Sequence, residues 1–165
     1  MTVIEPILEA RNLTTMLRGR AGVVTAVDNV SLSVYPGRTL ALVGESGSGK
    51  SITCLSMLGL LPSSGKLVAG EVMFKGRDLA KLSQRELEDI RGREIGMILQ
   101  DAMTSLNPLF TIGYQIEEVF RYHQGVRDRA ELRRRAVEVL ERVNIPAAAE
   151  RLDSYPFQFS GGMRQ

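Results

Sequence analysis

Eight consecutive residues carry the most specific chemistry in this sequence: Gly44-Glu45-Ser46-Gly47-Ser48-Gly49-Lys50-Ser51. They fit G-x-x-x-x-G-K-[S/T], the pattern of a loop that cradles phosphates, without a mismatch. Glycines let successive backbone N–H groups converge on one concavity. Gly44 and Gly49 are expected at the positive φ values and close backbone approaches that a Cβ would hinder. A helix that follows adds the unpaired N–H groups of its first turn, Ile52 included, and the positive end of its dipole. In such a loop Lys50 reaches the β- and γ-phosphates and the Ser51 hydroxyl ligates Mg²⁺. The chemistry predicted is the binding of a nucleoside triphosphate.

Other reactive residue types are less informative. A phosphate loop needs an acidic residue at the end of an apolar strand, and Ile95 to Leu99 is followed by Gln100-Asp101. Asp101 would then be the metal-side carboxylate of a small-molecule kinase or another soluble P-loop NTPase, although Gln100 interrupts the pattern. His123 is the sole histidine and has no second ligand type beside it to make a metal site. It is expected at the exposed edge of a helix. Cys54 is the sole cysteine, so no intrachain disulfide can form, which suits a reducing compartment; a buried packing role is expected for it. Arg133-Arg134-Arg135 is balanced by Glu131, Glu138 and Glu141 and reads as a solvated helix face. With a net charge of +2 the chain shows no case for nucleic acid as its main partner.

The elements that must position the loop are legible around it. Thr39 to Val43 is apolar and reads as a buried parallel strand feeding the loop. Ser51 to Leu61 reads as a helix stopped by Pro62. Upstream, Ile7–Leu17 and Val23–Val34 read as strands, and Tyr35-Pro36-Gly37-Arg38 as a type II turn. Glu71 to Phe74 is a further strand, Ser83-Gln84-Arg85-Glu86 a capping box, and Glu94 to Leu99 another β-suited run. The character then becomes helical. Ile112, Ile116, Val119 and Phe120 recur at helical spacing, as do Leu132, Ala136, Val139, Leu140 and Val143 after an Asp128/Glu131 cap pair. The fold class expected is α/β, a sheet-based core over about 1–100 with an appended α-helical lobe over about 101–160. The 44% hydrophobic share is enough to bury a core. The N-terminus lacks the basic start and apolar centre of a signal peptide, and no window can span a bilayer as a helix. The chain reads as cytoplasmic in character.

The end of the sequence adds a second device. Tyr155-Pro156-Phe157-Gln158-Phe159-Ser160-Gly161-Gly162-Met163-Arg164-Gln165 resembles the signature motif of ATP-binding-cassette (ABC) ATPases, usually L-S-G-G-Q. The wording of this motif and of the phosphate loop is similar to the peptide, glutathione and nickel importer branch of that family. Met97 to Pro108 looks like its Q-loop region. The resemblance runs from about Ile7 to Gln165, with 160–165 as the start of the signature helix.

The resemblance implies a P-loop NTPase core sheet and an ATP-hydrolysing subunit that energises uptake through separate transmembrane permease subunits. Its place would be peripheral, on the cytoplasmic face of the membrane. It implies ATP and Mg²⁺ as cofactors, and Gln100 as a contact to Mg²⁺ or the attacking water. A head-to-tail dimer with a second ABC ATPase subunit is also implied, in which Ser160, Gly161, Gly162 and Met163 cap the γ-phosphate held by the partner. Physically, Ser160-Gly161-Gly162 offers a hydroxyl and two unhindered N–H groups at a helix N-terminus. The family's strand ending in Asp-Glu and its switch histidine follow the signature, so the chain reads as partial and is expected not to hydrolyse ATP alone. Apolar surface is expected where central strands would lie. The family stacks an aromatic on adenine near the position of Leu17, whereas the first aromatic here is Tyr35. Adenine is therefore expected on Leu17 or Met16, with weak base selectivity. Ala102 stands for a usual proline and Phe157 for a usual histidine. A soluble ABC ATPase of the translation type, the kinase reading through Asp101 and a non-catalytic nucleotide-binding fragment are the alternatives. The transported substrate is not legible.

Overall fold

The computed structural model describes residues 4–20, 22–100 and 105–165, which fall in two compact units, Met1–Glu88 and Asp89–Gln165. In the first unit β1 (Leu8–Gly19) pairs antiparallel with β2 (Gly22–Val34) and with β3 (Gly65–Phe74), and β4 (Arg77–Asp78) completes a sheet of order β2-β1-β3-β4. The first two strands lie where alternation and β-branched residues put them. The third begins six residues before the expected Glu71, because its start at Gly65 pairs with Leu17. The β1–β2 register shifts around Asn12 and Asn29, both with positive φ. The Asn12 Nδ2 donates to Asn29 Oδ1 at 2.8 Å, so the bulge is closed by the two residues best suited to it.

Helix α1 (Lys50–Met57) packs on this sheet through Thr53, Ser56 and Met57, a line at i, i+3, i+4. The helix stops earlier than Pro62, at Leu58, with Gly59 at φ 62. Cys54, one step from the buried line, faces outward; the expectation of a buried thiol is corrected. Opposite α1, the sheet buries Ala10, Leu13 and Thr15 of β1, Val27 of β2 and Val72 of β3. The turn Tyr35–Arg38 forms as expected, with Arg38 N–H donating to Tyr35 O at 3.1 Å and Gly37 at φ 68.

Two expected strands do not form. Residues 39–43 run without a ladder partner, and Leu40, Leu42 and Val43 are exposed, Val43 at 94%. A strand is defined by its neighbour, and no described segment supplies one. Likewise Ile95 makes one isolated bridge to Arg91, while Ile98 and Leu99 are exposed. Leu40, Leu42, Val43, Ile98 and Leu99 thus present apolar surface to solvent, which corrects the expectation of a buried strand over 39–43.

The second unit is helical: α2 (Gln84–Ile90) leads into it, then α3 (Ile112–Gln124), α4 (Arg129–Arg142), α5 (Ala148–Arg151) and α6 (Gly161–Arg164). The capping box before α2 forms in both directions, Ser83 N–H donating to Glu86 Oε2 at 2.8 Å and Glu86 N–H to Ser83 Oγ at 3.4 Å. Asp128 caps α4 through Glu131 N–H at 2.8 Å. The core gathers Ile112, Ala136, Leu140, Ile145, Leu152 and Phe159. Val119 and Val143, counted in the apolar series, are exposed. His123 is half-buried, not at an exposed edge: its ring lies over Gly92, where a Cβ would sit 2.6 Å from Nε2. No helix among the described residues is long and apolar enough to cross a membrane.

Candidate functional site

The phosphate loop lies between the turn at Tyr35–Arg38 and α1, and its shape follows from its glycines. Gly47 and Gly49 take φ 83 and 92; Gly49 is the N-cap of α1. Gly44 is not in the left-handed region, which corrects one expectation; its lack of a Cβ matters sterically, because that atom would sit 2.8 Å from Ser48 Oγ. Gly49 is constrained twice, since a Cβ there would also stand 2.5 Å from the Ala26 carbonyl oxygen of β2. The loop is thus laid directly on the sheet.

Lys50 closes it. Its Nζ donates to Gly44 O at 2.7 Å, Glu45 O at 2.6 Å and Ser48 Oγ at 3.2 Å, using all three ammonium protons. Ser48 N–H turns back to Glu45 O at 3.2 Å. The first helical bond runs from Thr53 N–H to Gly49 O, so the N–H groups of Lys50, Ser51 and Ile52, in the first turn, have no intrahelical acceptor. The Ser51 side chain is exposed at that end, and Glu45, Ser46, Gly47 and Ser48 form the open rim. A ring of N–H groups with one cation and a helix dipole is an anion-binding arrangement.

A buried pair fixes the helix that carries these groups. Ser56 Oγ donates to Ile52 O at 2.6 Å and lies 2.8 Å from Thr15 Oγ1 of β1. Serine has one proton, so Thr15 is the donor between them. The pair is buried, at 0% and 3% exposure, and polar residue types inside an apolar stretch carry no signal of it in the sequence.

In the second unit Ser160 is the N-cap of α6 and accepts from Met163 N–H at 3.3 Å. Gly161 and Gly162 begin the helix with no side chains over their N–H groups, and Gly162 has open space where a Cβ would be. Phe159, 5% exposed, anchors the segment in the core beneath Arg151. Gln100 is exposed at the end of the 96–100 run; Asp101 and Ala102 lie outside the described residues. The loop that leads to α3 is pinned by Gln115, whose amide donates to Asn107 O and Phe110 O at 3.0 Å each and accepts from Asn107 N–H at 2.9 Å. Gln115 was another residue that composition and spacing did not single out.

The consecutive arginines 133–135 of α4 are engaged in ion pairs. Arg133 meets Asp153 with two bonds, of 3.0 and 2.7 Å, Arg134 meets Glu131 and Glu138, and Arg135 meets Glu131. Glu131, between Arg134 and Arg135, is pushed down to about 2. This is the solvated, charge-balanced face expected.

The family profile described as "ABC transporter" matches residues 27–165. A protein of Brucella abortus (strain 2308), provisionally named a peptide import ATP-binding protein, is 50% identical over 160 residues, covering 97% of this chain and 48% of its own length. A similarly named protein of Brucella melitensis biotype 1 is 48% identical, covering 98% and 49%. The chain therefore spans about half the length of the curated relatives it matches. Among solved structures, the dimeric, ADP- and Pi-bound ATP-binding cassette MJ0796 superposes with a TM-score of 0.81 at 28% identity, covering 95% of this chain and 65% of that one. CbiO1 from Clostridium perfringens, part of the transporter complex cbiONQ, shares the fold with a TM-score of 0.70 at 20% identity.

Proposed function

The chain belongs to the ABC transporter family, and we propose that it is the nucleotide-gripping part of an ATPase subunit that drives import of peptides or related small solutes. The observation that carries this reading is the closed loop around Lys50 at the N-terminus of α1, where the N–H groups of residues 50–52 have no intrahelical acceptor. In this reading Gly44 to Ile52 hold the triphosphate of ATP. Lys50 exchanges its loop oxygens for β- and γ-phosphate oxygens. Mg²⁺ fits the donor chemistry, because Ser51 presents a hard hydroxyl oxygen at the helix end where the phosphates would sit. That ion neutralises phosphate charge when bound. Gln100 is assigned to sense the same region.

Ser160 to Met163 are assigned to the nucleotide of a second cassette in a head-to-tail pair, their N–H groups meeting its terminal phosphate. The relatives named for peptide import support a peptide-type cargo. Transmembrane permease subunits would place the pair peripherally at the cytoplasmic face of the membrane. Closure of the pair would do the work, because ATP adds contacts that only the closed state makes.

The test is equilibrium binding of MgATP to the chain and to Lys50→Ala. A loss of at least about tenfold, 1.4 kcal/mol, is expected. Unchanged affinity would overturn the assignment. Co-purification of the full-length protein with a membrane permease, and peptide uptake dependent on Lys50, test the transport role.

A further inference from the structure

We propose that Tyr155 and Phe157 form an aromatic platform for the base of a nucleotide held on the phosphate loop of a second copy of this chain. The proposal rests on the head-to-tail reading above and adds to it a base-contacting surface.

A purine base is held best by a flat apolar face. The unit that carries the phosphate loop is poor in such faces: Met1–Glu88 contains two aromatics, Tyr35 and Phe74. Phe74 is 4% exposed and belongs to the core. Tyr35 follows the far end of β2, nine residues beyond Ala26, the residue against which Gly49 rests. At roughly 3.3 Å per residue that is on the order of 30 Å along the strand. What does stand near the loop is aliphatic: Met16 pairs with Thr25, next to Ala26, and Val24 beside it is 63% exposed. These residues can cover one side of a base and leave the other bare.

The missing face is present beside the signature. The 3₁₀ turn Pro156–Gln158 alternates its side chains, with Pro156 and Phe159 buried and Tyr155 and Phe157 outward, at 40% and 72% exposure. The two outward rings are stacked, with centroids 5.6 Å apart and planes 11° from parallel. A third ring between them would need about 7–8 Å, two contacts of 3.5–4.0 Å. The free surface is therefore the outer face of Phe157, backed by Tyr155. The turn is held firmly. Tyr155 N–H donates to Gln158 Oε1 at 2.7 Å, and Gln158 N–H to Tyr155 O at 2.9 Å. The first N–H groups of α3, on Ile112 and Gly113, donate to Ser154 O and Leu152 O just upstream. Rings that are already fixed lose little freedom on binding.

Spacing joins the platform to the anion end. Phe157 precedes Ser160 by three residues, at most about 10 Å of chain. That is the scale on which a ribose and triphosphate separate a base from its terminal phosphate. A segment that meets the γ-phosphate through Ser160 can thus meet the base through Phe157. Stacking reads a π-face that every base has, so the platform tolerates more than one base.

The 165 residues contain no tryptophan, so Phe157→Trp in this chain gives a unique fluorescent reporter. In the full chain it is combined with Lys50→Ala, so that the labelled copy holds no nucleotide of its own, and mixed with unlabelled wild type. MgATP is expected to quench the tryptophan in the mixture. Inorganic triphosphate is expected to leave it unchanged, as is MgATP added to the double variant alone. Tyr155→Ala/Phe157→Ala is expected to weaken MgATP-driven dimerisation about 5- to 150-fold, with nucleotide affinity of the dilute monomer unaltered. If sedimentation shows MgATP-driven dimers while the reporter stays silent and the double alanine variant dimerises like wild type, the platform is refuted and the head-to-tail reading stands. If wild type forms no MgATP-driven dimer, that reading falls and the platform with it.

Discussion

Ser56→Ala is expected to destabilise the chain more than Thr15→Val, although both changes remove the same 2.8 Å hydrogen bond. The Ser56 proton is committed to Ile52 O at 2.6 Å, so Thr15 donates into the pair. Thr15→Val keeps the side chain's shape and deletes the donor; Ser56 still donates and loses an incoming bond, at a cost of about 0.5–1.5 kcal/mol. Ser56→Ala leaves the Thr15 hydroxyl, 0% exposed, as a buried donor without an acceptor, at about 1–3 kcal/mol. In the double variant nothing is left unpaired, so its loss should fall short of the sum, with a coupling of about 0.5–3 kcal/mol. Urea unfolding followed by circular dichroism measures all three. Since α1 starts at Lys50, MgATP affinity should weaken in the same order. Thr15→Val proving equal to or worse than Ser56→Ala would refute the proton direction and the account of how α1 is clamped to β1.

Gly49→Ala should lower MgATP affinity by at least about tenfold, 1.4 kcal/mol, because its Cβ meets the Ala26 carbonyl and its φ of 92 is strained; retained affinity in a titration would contradict that geometry. Glu131, depressed from 4.5 to about 2 by Arg134 and then Arg135, supports α4 above pH 4.5 and loses that support as pH falls toward 2. Glu131→Gln should therefore flatten the acid loss of helical ellipticity across that window, and the contrast should shrink in 1 M salt; a salt-independent contrast would rule out an exposed ion pair. Gly92→Ala should destabilise the helical unit, with His123→Ala recovering the steric part but leaving the strain of φ 77, about 1–2 kcal/mol. Full recovery in thermal melts would show that backbone strain plays no part.

Local chemistry was legible in the letters because it is settled within a few residues. The Ser83/Glu86 box, the Asp128 cap, the Ser160 cap and the turn at Pro36-Gly37 each form where spacing put them. The phosphate loop is of the same kind: glycine freedom and one lysine suffice to shape it. The failures are non-local. Thr39 to Val43 and Glu94 to Leu99 have strand composition, but pairing depends on a neighbour that composition does not name. Cys54 was misplaced because the buried line of α1 holds Thr53 and Ser56, whose polarity is hidden by mutual and backbone bonds. At Gly44 the expected positive φ is absent and the close approach comes from the Ser48 hydroxyl, not from backbone, so a side chain there would have to displace Ser48 Oγ.

The lysine that closes the phosphate loop also sets a threshold for what can open it. With Gly44 O, Glu45 O and Ser48 Oγ already around its ammonium, Lys50 is no vacant cation awaiting any anion. An incoming group must replace three oxygens at once, which a singly charged ion such as chloride or acetate does poorly and a polyphosphate does well. Capture is then an exchange of partners within a shape that already exists, with no loop left to order. In the proposed reading the loop would therefore act as a valence filter, favouring dense, multiply charged anions over small, singly charged ones.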